Sequence, residues 1–443
     1  MSAVAYDVAV VGAGAAGLAA ARALCAAGKR VAIVEARDRI GGRIRTEHRQ
    51  FGKSATTVPI ELGAEFVHGL PLETWRLLHE AHLRTYELQG ETRCYADGRV
   101  TTERDSGAVP LRVLEKLGAW LKHKAPDFDV SFAEALRLAG IDDPSRAEAS
   151  AYVEGFNAAD AKIIGIRALV RQQQAEDAID ADRLFHVASG YDALPHHLAA
   201  CCAAQGAEIL LDHPVEALRW APKHVVLEGR TTAGKPFELQ ASRAVVTLPL
   251  GVLKAGSVRF DPPPARILAH AERLQMGAVL RLTLAFRSRF WPEGTSFLLT
   301  QGALPATWWT PYPDTSPMIT GWLGGADVTK FDRQRGCRAS ADALLDAALA
   351  TLAQTFRIDT REVAGWLVSS HLHDWQADPF ARGAYSYVPA GAADASLHLS
   401  YPVDGTLFFA GEHTDTSGHW GTVHAALRSG LRAAEQLLQD DLP

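Results

Sequence analysis

Residues 7–45 read DVAVVGAGAAGLAAARALCAAGKRVAIVEARDRIGGRIR, and the rest of the chain is organised around them. Residues 7–11 are an apolar run of the kind buried in a parallel sheet. The turn after it carries Gly12, Gly14 and Gly17, a complete GxGxxG. Gly12 permits the tight turn, Gly14 lets backbone N–H groups approach a pyrophosphate, and Gly17 lets the following helix pack close to the strand. The Ala-rich residues 15–27 predict that helix, with Gly28 as its left-handed cap. A second strand over 30–34 leads to Glu35. An acid about 20 residues after the glycines accepts hydrogen bonds from a ribose diol. The bare glycine pattern arises by chance in Gly/Ala-rich sequence. Strand, helix and acid together make it a dinucleotide site.

The next residues choose the dinucleotide. Glu35-Ala36-Arg37 and Gly41-Gly42-Arg43 extend the pattern, adding backbone donors and a cation near the phosphates. This second glycine pair resembles the GG motif of flavoproteins with a glutathione-reductase-like fold, which implies FAD. The expected contacts in this unit are Gly12, Gly14, Ala15, Ala16, Gly17, Glu35, Ala36, Arg37, Gly41, Gly42 and Arg43.

At 443 residues the chain is too long for one core, so two domains are expected. Its 47% hydrophobic and 22% charged content is that of an ordinary soluble protein, and a net charge of −6 leaves no nucleic-acid footprint. The five cysteines (Cys25, Cys94, Cys201, Cys202, Cys337) have no metal-ligand spacing; no metal is expected, and the usage suits a reducing, cytoplasmic setting. A strand begins too early for a signal peptide and the chain ends in a charged helix, so no membrane partner is expected.

Residues 61–69, ELGAEFVHG, suggest a bend near a ligand. Residues 70–124 read as helix-rich and amphipathic, and 127–184 as helical. The latter includes the acidic run AEDAIDAD at 175–182, either a solvated face or an electrostatic lure for a cationic substrate. Strands at 207–211, 215–220 and 225–227, followed by RAVVTLPLGVL at 243–253, mark a return to the first domain. Beyond Pro262-Pro263-Pro264, residues 274–286 and 296–322 alternate like antiparallel strands, with Phe290, Trp291, Trp308 and Trp309 as core or tunnel. A helix is expected at 339–356, an aromatic loop at 375–391, a strand at 406–410 and a last helix at 422–438. Gly411-Glu412 and the start of that helix, after Gly421, form an anion site through free N–H groups and the helix dipole, with Glu412 accepting from ribityl or ribose hydroxyls.

These motifs in this order resemble the flavin-dependent amine oxidases: monoamine oxidases, polyamine oxidases and the amine-oxidase domain of lysine-specific histone demethylases. The carriers are VVGAGAAGL, VEARDRIGGRIRT, ELGAEFVHG, TLPLGVLK, Phe290-Trp291, DPFARGAYSYVPAG, FFAGEHT and TVHAALRSG. The resemblance implies an α/β fold: a discontinuous glutathione-reductase-like FAD-binding Rossmann domain (1–69, 185–255 and 392–443) and an interleaved α+β substrate domain (70–184 and 256–391). It implies oxidation of a C–N bond of a polyamine or other aliphatic amine to an imine, hydrolysis to a carbonyl, and reduction of dioxygen to hydrogen peroxide. A homodimer is compatible with it. Gly63, Ala64, Glu65, Val215, Gly411, Glu412, Gly421, Thr422 and Val423 are the further FAD contacts it implies.

For catalysis the resemblance points to Tyr385 and Trp375 as aromatic walls and His68 as a substrate-proximal residue, with Glu65 beside it. An apolar cage disfavours the ammonium form of the substrate by desolvation. Residues 66–68 offer no Arg for an α-carboxylate, which argues against an amino acid substrate. Three positions depart from the family. Ala384 stands where covalent members have Cys, so FAD is expected to be non-covalent. Arg281 stands where the family has Lys; it keeps the charge but is never a proton donor near neutral pH. Thr422 replaces a second cage Tyr, leaving one side open, which His419 or Trp420 would partly fill. Arg281 motivates an alternative, an amine dehydrogenase using another acceptor; an FAD-binding scaffold is the reading outside enzymes.

Overall fold

In the computed structural model, which describes residues 6–50, 57–96, 99–102, 108–300, 302–335 and 340–440, Tyr6–Val11 is the first strand and Ala15–Ala26 the first helix. Gly28 follows the helix at φ +79°, and Lys29 N–H reaches back to the Leu24 carbonyl at 3.1 Å, the expected cap. An eight-stranded sheet runs Glu208–Leu210, Val31–Val34, Tyr6–Val11, Pro236–Val246, His224–Arg230, Val215–Ala221, Arg259–Asp261, with Leu407–Phe409 also on Pro236–Val246. Its parallel centre is apolar on both faces: Val8 and Val10 enter one core, Ala9 and Val11 the other. The last helix, Val423–Gln439, lies on the first because Gly430 permits it; a Cβ there would stand 2.1 Å from the Ala16 carbonyl oxygen.

A seven-stranded sheet runs Leu367–Leu372, Val279–Phe286, Met318–Gly324, Thr307–Trp309, Thr295–Thr300, Glu91–Ala96, Arg99–Thr102. The alternation expected over 274–286 does not appear as exposure, since Val279–Phe286 is buried at every position. Leu280, Leu282, Leu284 and Phe286 pack in the core that includes helix Ala341–Phe356. On the opposite face Ala285 meets Ile60 and Leu62, and Arg281 reaches the cavity described below.

Several expectations are corrected. Residues 70–124 are not mainly helical: between helices Leu72–Glu80 and Ala108–Leu121 stand strands Thr85–Glu87, Glu91–Ala96 and Arg99–Thr102. Glu91–Ala96 pairs in parallel with Thr295–Thr300, a partner about two hundred residues away that local periodicity does not reveal. Strand Arg259–Asp261 pairs with Val215–Ala221 in the eight-stranded sheet, although the expected boundary at 255/256 gave it to the other domain. Glu208–Leu210 pairs with Val31–Val34, at the sheet edge away from Val215–Ala221. The loop at 375–391 contains strand Ser386–Tyr387. Residues 51–56, Cys337 and residue 339 lie outside the described residues.

Glu61 ends strand Thr57–Glu61 and is buried, accepting from Tyr191 N–H at 2.8 Å and the Thr46 hydroxyl at 2.6 Å. Burial outweighs these bonds and pushes its carboxyl from 4.5 up to about 8. The folded state therefore binds a proton more tightly than the unfolded chain, so this group's contribution falls as pH rises from about 4.5 to about 8. Glu61→Gln is expected to lose less stability over that interval than the parent, measured by urea unfolding across pH; parallel curves would contradict it.

Candidate active site

One cavity of about 1160 Å³ begins at the glycine turns of the eight-stranded sheet and ends among aromatic side chains of the seven-stranded one. At the first end lie Gly12, Gly14, Ala15, Ala16, Glu35, Ala36, Arg37, Gly41, Gly42 and Arg43. Gly17 does not line it. It stands behind the turn, where a Cβ would be 1.9 Å from the Gly12 carbonyl oxygen. The two glycine turns meet directly: Gly14 bridges Gly41 as a β-pair, and a Cβ on Gly42 would be 3.2 Å from Gly14 Cα. The start of helix Ala15–Ala26 therefore faces the cavity bare of side chains, as an anion site requires. Glu35 is buried, with Ala13 N–H at 2.8 Å and Arg37 N–H at 2.9 Å holding its carboxylate.

Arg43, the cation expected near the phosphates, and Arg37 both have acidic partners. Arg37 is bound to Asp378 at 2.6 Å, and Arg43 to Glu412 at 2.8 Å and to the Ala384 carbonyl at 2.8 Å. Within the protein, Glu412 accepts from Arg43, the Ser386 hydroxyl at 2.6 Å and Gly421 N–H at 3.0 Å. These acids tie the loop at 378–386 and the last helix to the second glycine turn, and the charges they neutralise belong to the protein.

Gly63, Ala64, Glu65, Val215, Gly411, Glu412, Gly421, Thr422 and Val423 line the same cavity, as do His68, Arg281, Trp375, Tyr385 and Thr422 of the catalytic set. Donor-rich glycine turns, a buried acid and a long space toward aromatic walls fit a dinucleotide whose ring reaches those walls.

At the aromatic end the Tyr385 hydroxyl donates to the Phe156 carbonyl at 2.6 Å, and its ring packs on Gly421, where a Cβ would be 3.0 Å from it. Burial raises the Tyr385 phenol well above its ordinary value, so it stays neutral. Trp375 is buried and donates to the Leu62 carbonyl at 2.8 Å. His68 faces Phe66 and Phe156 at ring distances of 6.0 and 6.1 Å. Burial pushes its imidazole down to about 4, so it is neutral near neutral pH. Arg281 is not a free cation: Glu65 holds it at 2.7 Å and the Gly63 carbonyl at 2.8 Å, and Trp309 N–H donates to the same Glu65 oxygen at 2.8 Å. Thr422 is a helix N-cap. Its hydroxyl accepts from Ala425 N–H at 3.1 Å and donates to the His419 carbonyl at 2.7 Å. His419 and Trp420 both line the cavity.

The tryptophans divide by strand alternation. Trp308 is fully buried in the core, Trp309 faces the cavity, and Phe290 and Trp291 are core. Sequence reasoning missed Phe66, Asn157, Gln172 and Thr247 as cavity residues. Thr247 lies inside the quoted TLPLGVLK and donates to the Val11 carbonyl at 2.8 Å behind Gly12; Phe66 lies inside the quoted ELGAEFVHG, and nothing in the sequence marks Asn157 or Gln172. Among the described residues no helix is long and apolar enough to cross a membrane.

A family model described as flavin containing amine oxidoreductase matches residues 15–438. Polyamine oxidase 3 of Oryza sativa subsp. japonica is 29% identical over 96% of this chain and 88% of its own length. Lysine-specific histone demethylase 1 homolog 1 of Arabidopsis thaliana is 28% identical over 98% of this chain and 52% of its own. Among solved structures, a putrescine oxidase bound to putrescine superposes with a TM-score of 0.80 at 22% identity, covering 98% of this chain and 99% of the other. Cyclohexylamine oxidase from Brevibacterium oxydans gives 0.78 at 23% identity with the same coverage. At those identities the two structures speak for the fold.

Proposed function

The chain belongs to the flavin-containing amine oxidoreductases, and from that premise we propose that it is an FAD-dependent oxidase of a polyamine or another aliphatic primary or secondary amine. The amine's C–N bond becomes an imine, water hydrolyses the imine to an aldehyde or ketone, and dioxygen leaves as hydrogen peroxide. The observation that carries this reading is the continuity of one cavity from the glycine turns to the chamber walled by Tyr385, Trp375 and Trp309. The polyamine oxidase relative adds support. Glycines 12, 14, 41 and 42, Glu35 and the start of helix Val423–Gln439 would hold FAD, without a covalent bond because residue 384 is alanine. FAD supplies, when bound, the capacity to accept a hydride.

The chain's own residues prepare the amine. The apolar walls disfavour its ammonium form, so the reacting nitrogen keeps the lone pair that hydride loss requires. Glu65 does not reverse this, because Arg281 and Trp309 occupy it. Neutral His68 adds no positive charge. We divide the chain into an FAD domain and a substrate domain, with strand Arg259–Asp261 in the former, and propose a cytoplasmic setting, where thiols such as Cys25, Cys201 and Cys202 persist.

Anaerobic titration of the yellow protein with an amine panel tests the reading: colour must bleach with at least one amine, and peroxide must appear on admitting air. Bleaching without peroxide would favour the dehydrogenase that Arg281 suggests; no bleaching with any amine would overturn the enzyme reading. Arg281→Lys keeps a cation for Glu65 but restores a titratable ammonium. Faster recovery of flavin colour under air is expected, and an unchanged or slower rate would remove Arg281 from the oxygen step.

A further inference from the structure

Away from the cavity, two helices bring a nitrogen, an oxygen and a sulfur together. Helix Ala193–Ala204 carries His197 and Cys201 one turn apart, on one face. Helix Leu72–Glu80 ends at Glu80. Glu80 Oε1 lies 3.2 Å from His197 Nε2, and Cys201 Sγ lies 3.6 Å from that same nitrogen. The three ligand atoms all fall within 4.8 Å of one another. A tetrahedral zinc, with bonds of about 2.0–2.3 Å, sets a nitrogen and an oxygen about 3.3 Å apart and a nitrogen and a sulfur about 3.6 Å apart. The two separations in the protein match those edges. The framework is fixed, because Leu77, Leu78, Leu198 and Cys202 share one core. The adjacent cysteines divide by helix face: Cys202 is buried and donates to the Leu18 carbonyl at 3.7 Å, whereas Cys201 is half-buried beside His197.

The electrostatics favour a cation. Glu80 is the last residue of its helix and Cys201 lies in the last turn of its own, so two partially negative helix ends meet here. Arg22, on helix Ala15–Ala26, holds Glu80 Oε1 at 2.6 Å, and that bond keeps the carboxyl below its ordinary value of 4.5. A carboxylate has about four lone-pair sites, so Arg22 can orient Glu80 while an ion binds it, as outer partners of metal-ligating carboxylates do. A nitrogen, sulfur and oxygen set suits zinc and does not suit magnesium or calcium. Read along the chain, the cysteines have no metal-ligand spacing; the set exists only where residues 80 and 197 meet in space.

We propose that Glu80, His197 and Cys201 form a surface site for a zinc-type divalent ion, with water in the fourth position, that clamps helix Leu72–Glu80 to helix Ala193–Ala204. His197 binds through Nε2 and Cys201 as its thiolate, the thiol proton passing to water. The site lies outside the amine-oxidising cavity and does not depend on that reading. The test titrates holoprotein cleared with EDTA, first with Co²⁺ and then with Zn²⁺, in the parent, Cys201→Ser, His197→Ala and Glu80→Gln. The parent should take up one Co²⁺ per chain with the intense visible bands of tetrahedral coordination, and Cys201→Ser should lack the thiolate-to-cobalt band. Each variant should bind Zn²⁺ more weakly by about tenfold or more, the loss that removal of even an outer partner brings. Zn²⁺ should slow alkylation of Cys201, followed by peptide mass, by about tenfold or more, and Mg²⁺ should leave it unchanged. This last readout needs no substitution, so it stands whatever a variant does to folding. An octahedral cobalt spectrum, cobalt bound equally by Cys201→Ser, or alkylation of Cys201 at one rate with and without Zn²⁺ would overturn the proposal.

Discussion

Gly17→Ala yields protein that retains no yellow cofactor and unfolds at much lower denaturant than the parent; that is the expected result. The added Cβ would stand 1.9 Å from the Gly12 carbonyl oxygen and 3.1 Å from its carbon, both backbone atoms that no rotamer can move. The helix must withdraw from the strand, and the N–H groups at its start withdraw with it. Overpacking of this kind costs about 1–3 kcal/mol or more in a well-packed core. Gly28→Ala is the control. It too is a glycine in this unit, at φ +79°, but a Cβ there meets nothing within 4 Å. It should cost about 1 kcal/mol of backbone strain and keep its flavin. Comparison of visible absorbance and urea midpoints for the two variants decides the matter. A yellow, stable Gly17→Ala protein would show that helix and strand need not meet closely.

Glu412→Ala should produce the largest loss of stability among the cavity acids. The carboxylate is buried, and it joins Arg43, Ser386 and the backbone at Gly421. Its removal strands Arg43, whose side chain is 23% exposed. Breaking a buried pair from one side costs roughly 3–5 kcal/mol, and the partial exposure of Arg43 places the expectation toward the lower figure. The pH dependence carries a sign. Burial alone would raise the Glu412 carboxyl, but Arg43, His413 and the Ser386 hydroxyl outweigh it and hold it below the ordinary value of 4.5. A lowered folded value means the contribution is present above the unfolded value and is lost as pH falls through the folded one. The parent should therefore lose stability more steeply than Glu412→Gln as pH falls below about 4.5. Equal acid slopes would show that the pair stabilises nothing.

The nucleotide half of the site was legible in the sequence because it is local. Its glycines, its acid and its helix start lie within residues 12–43, and backbone geometry dictates each residue type. The catalytic half was legible only as separate motifs, and the structure adds partners that the motifs do not name. Thr422 caps the last helix and Glu65 pairs with Arg281, while in the nucleotide half Arg37 and Arg43 are paired with acids. The ion pairs join residues far apart in the chain, so no spacing rule encodes them, whereas the Thr422 cap is local. Strands Thr85–Glu87 and Glu91–Ala96 were missed for the same reason: each pairs with a strand far along the chain.

By itself the sequence determined that a strand, a glycine turn, a helix and an acid would make a dinucleotide cradle, since these depend on contacts within one short segment and on steric freedom that glycine alone supplies. Only the tertiary structure decided which charges on the cavity remain unspent. Read along the chain, Glu65 and Glu176 carry no mark of their partners; Arg281, more than two hundred residues from Glu65, neutralises the first, and no cation reaches the second among the described residues. Charge compensation is settled by distance in space, and sequence separation carries no information about it.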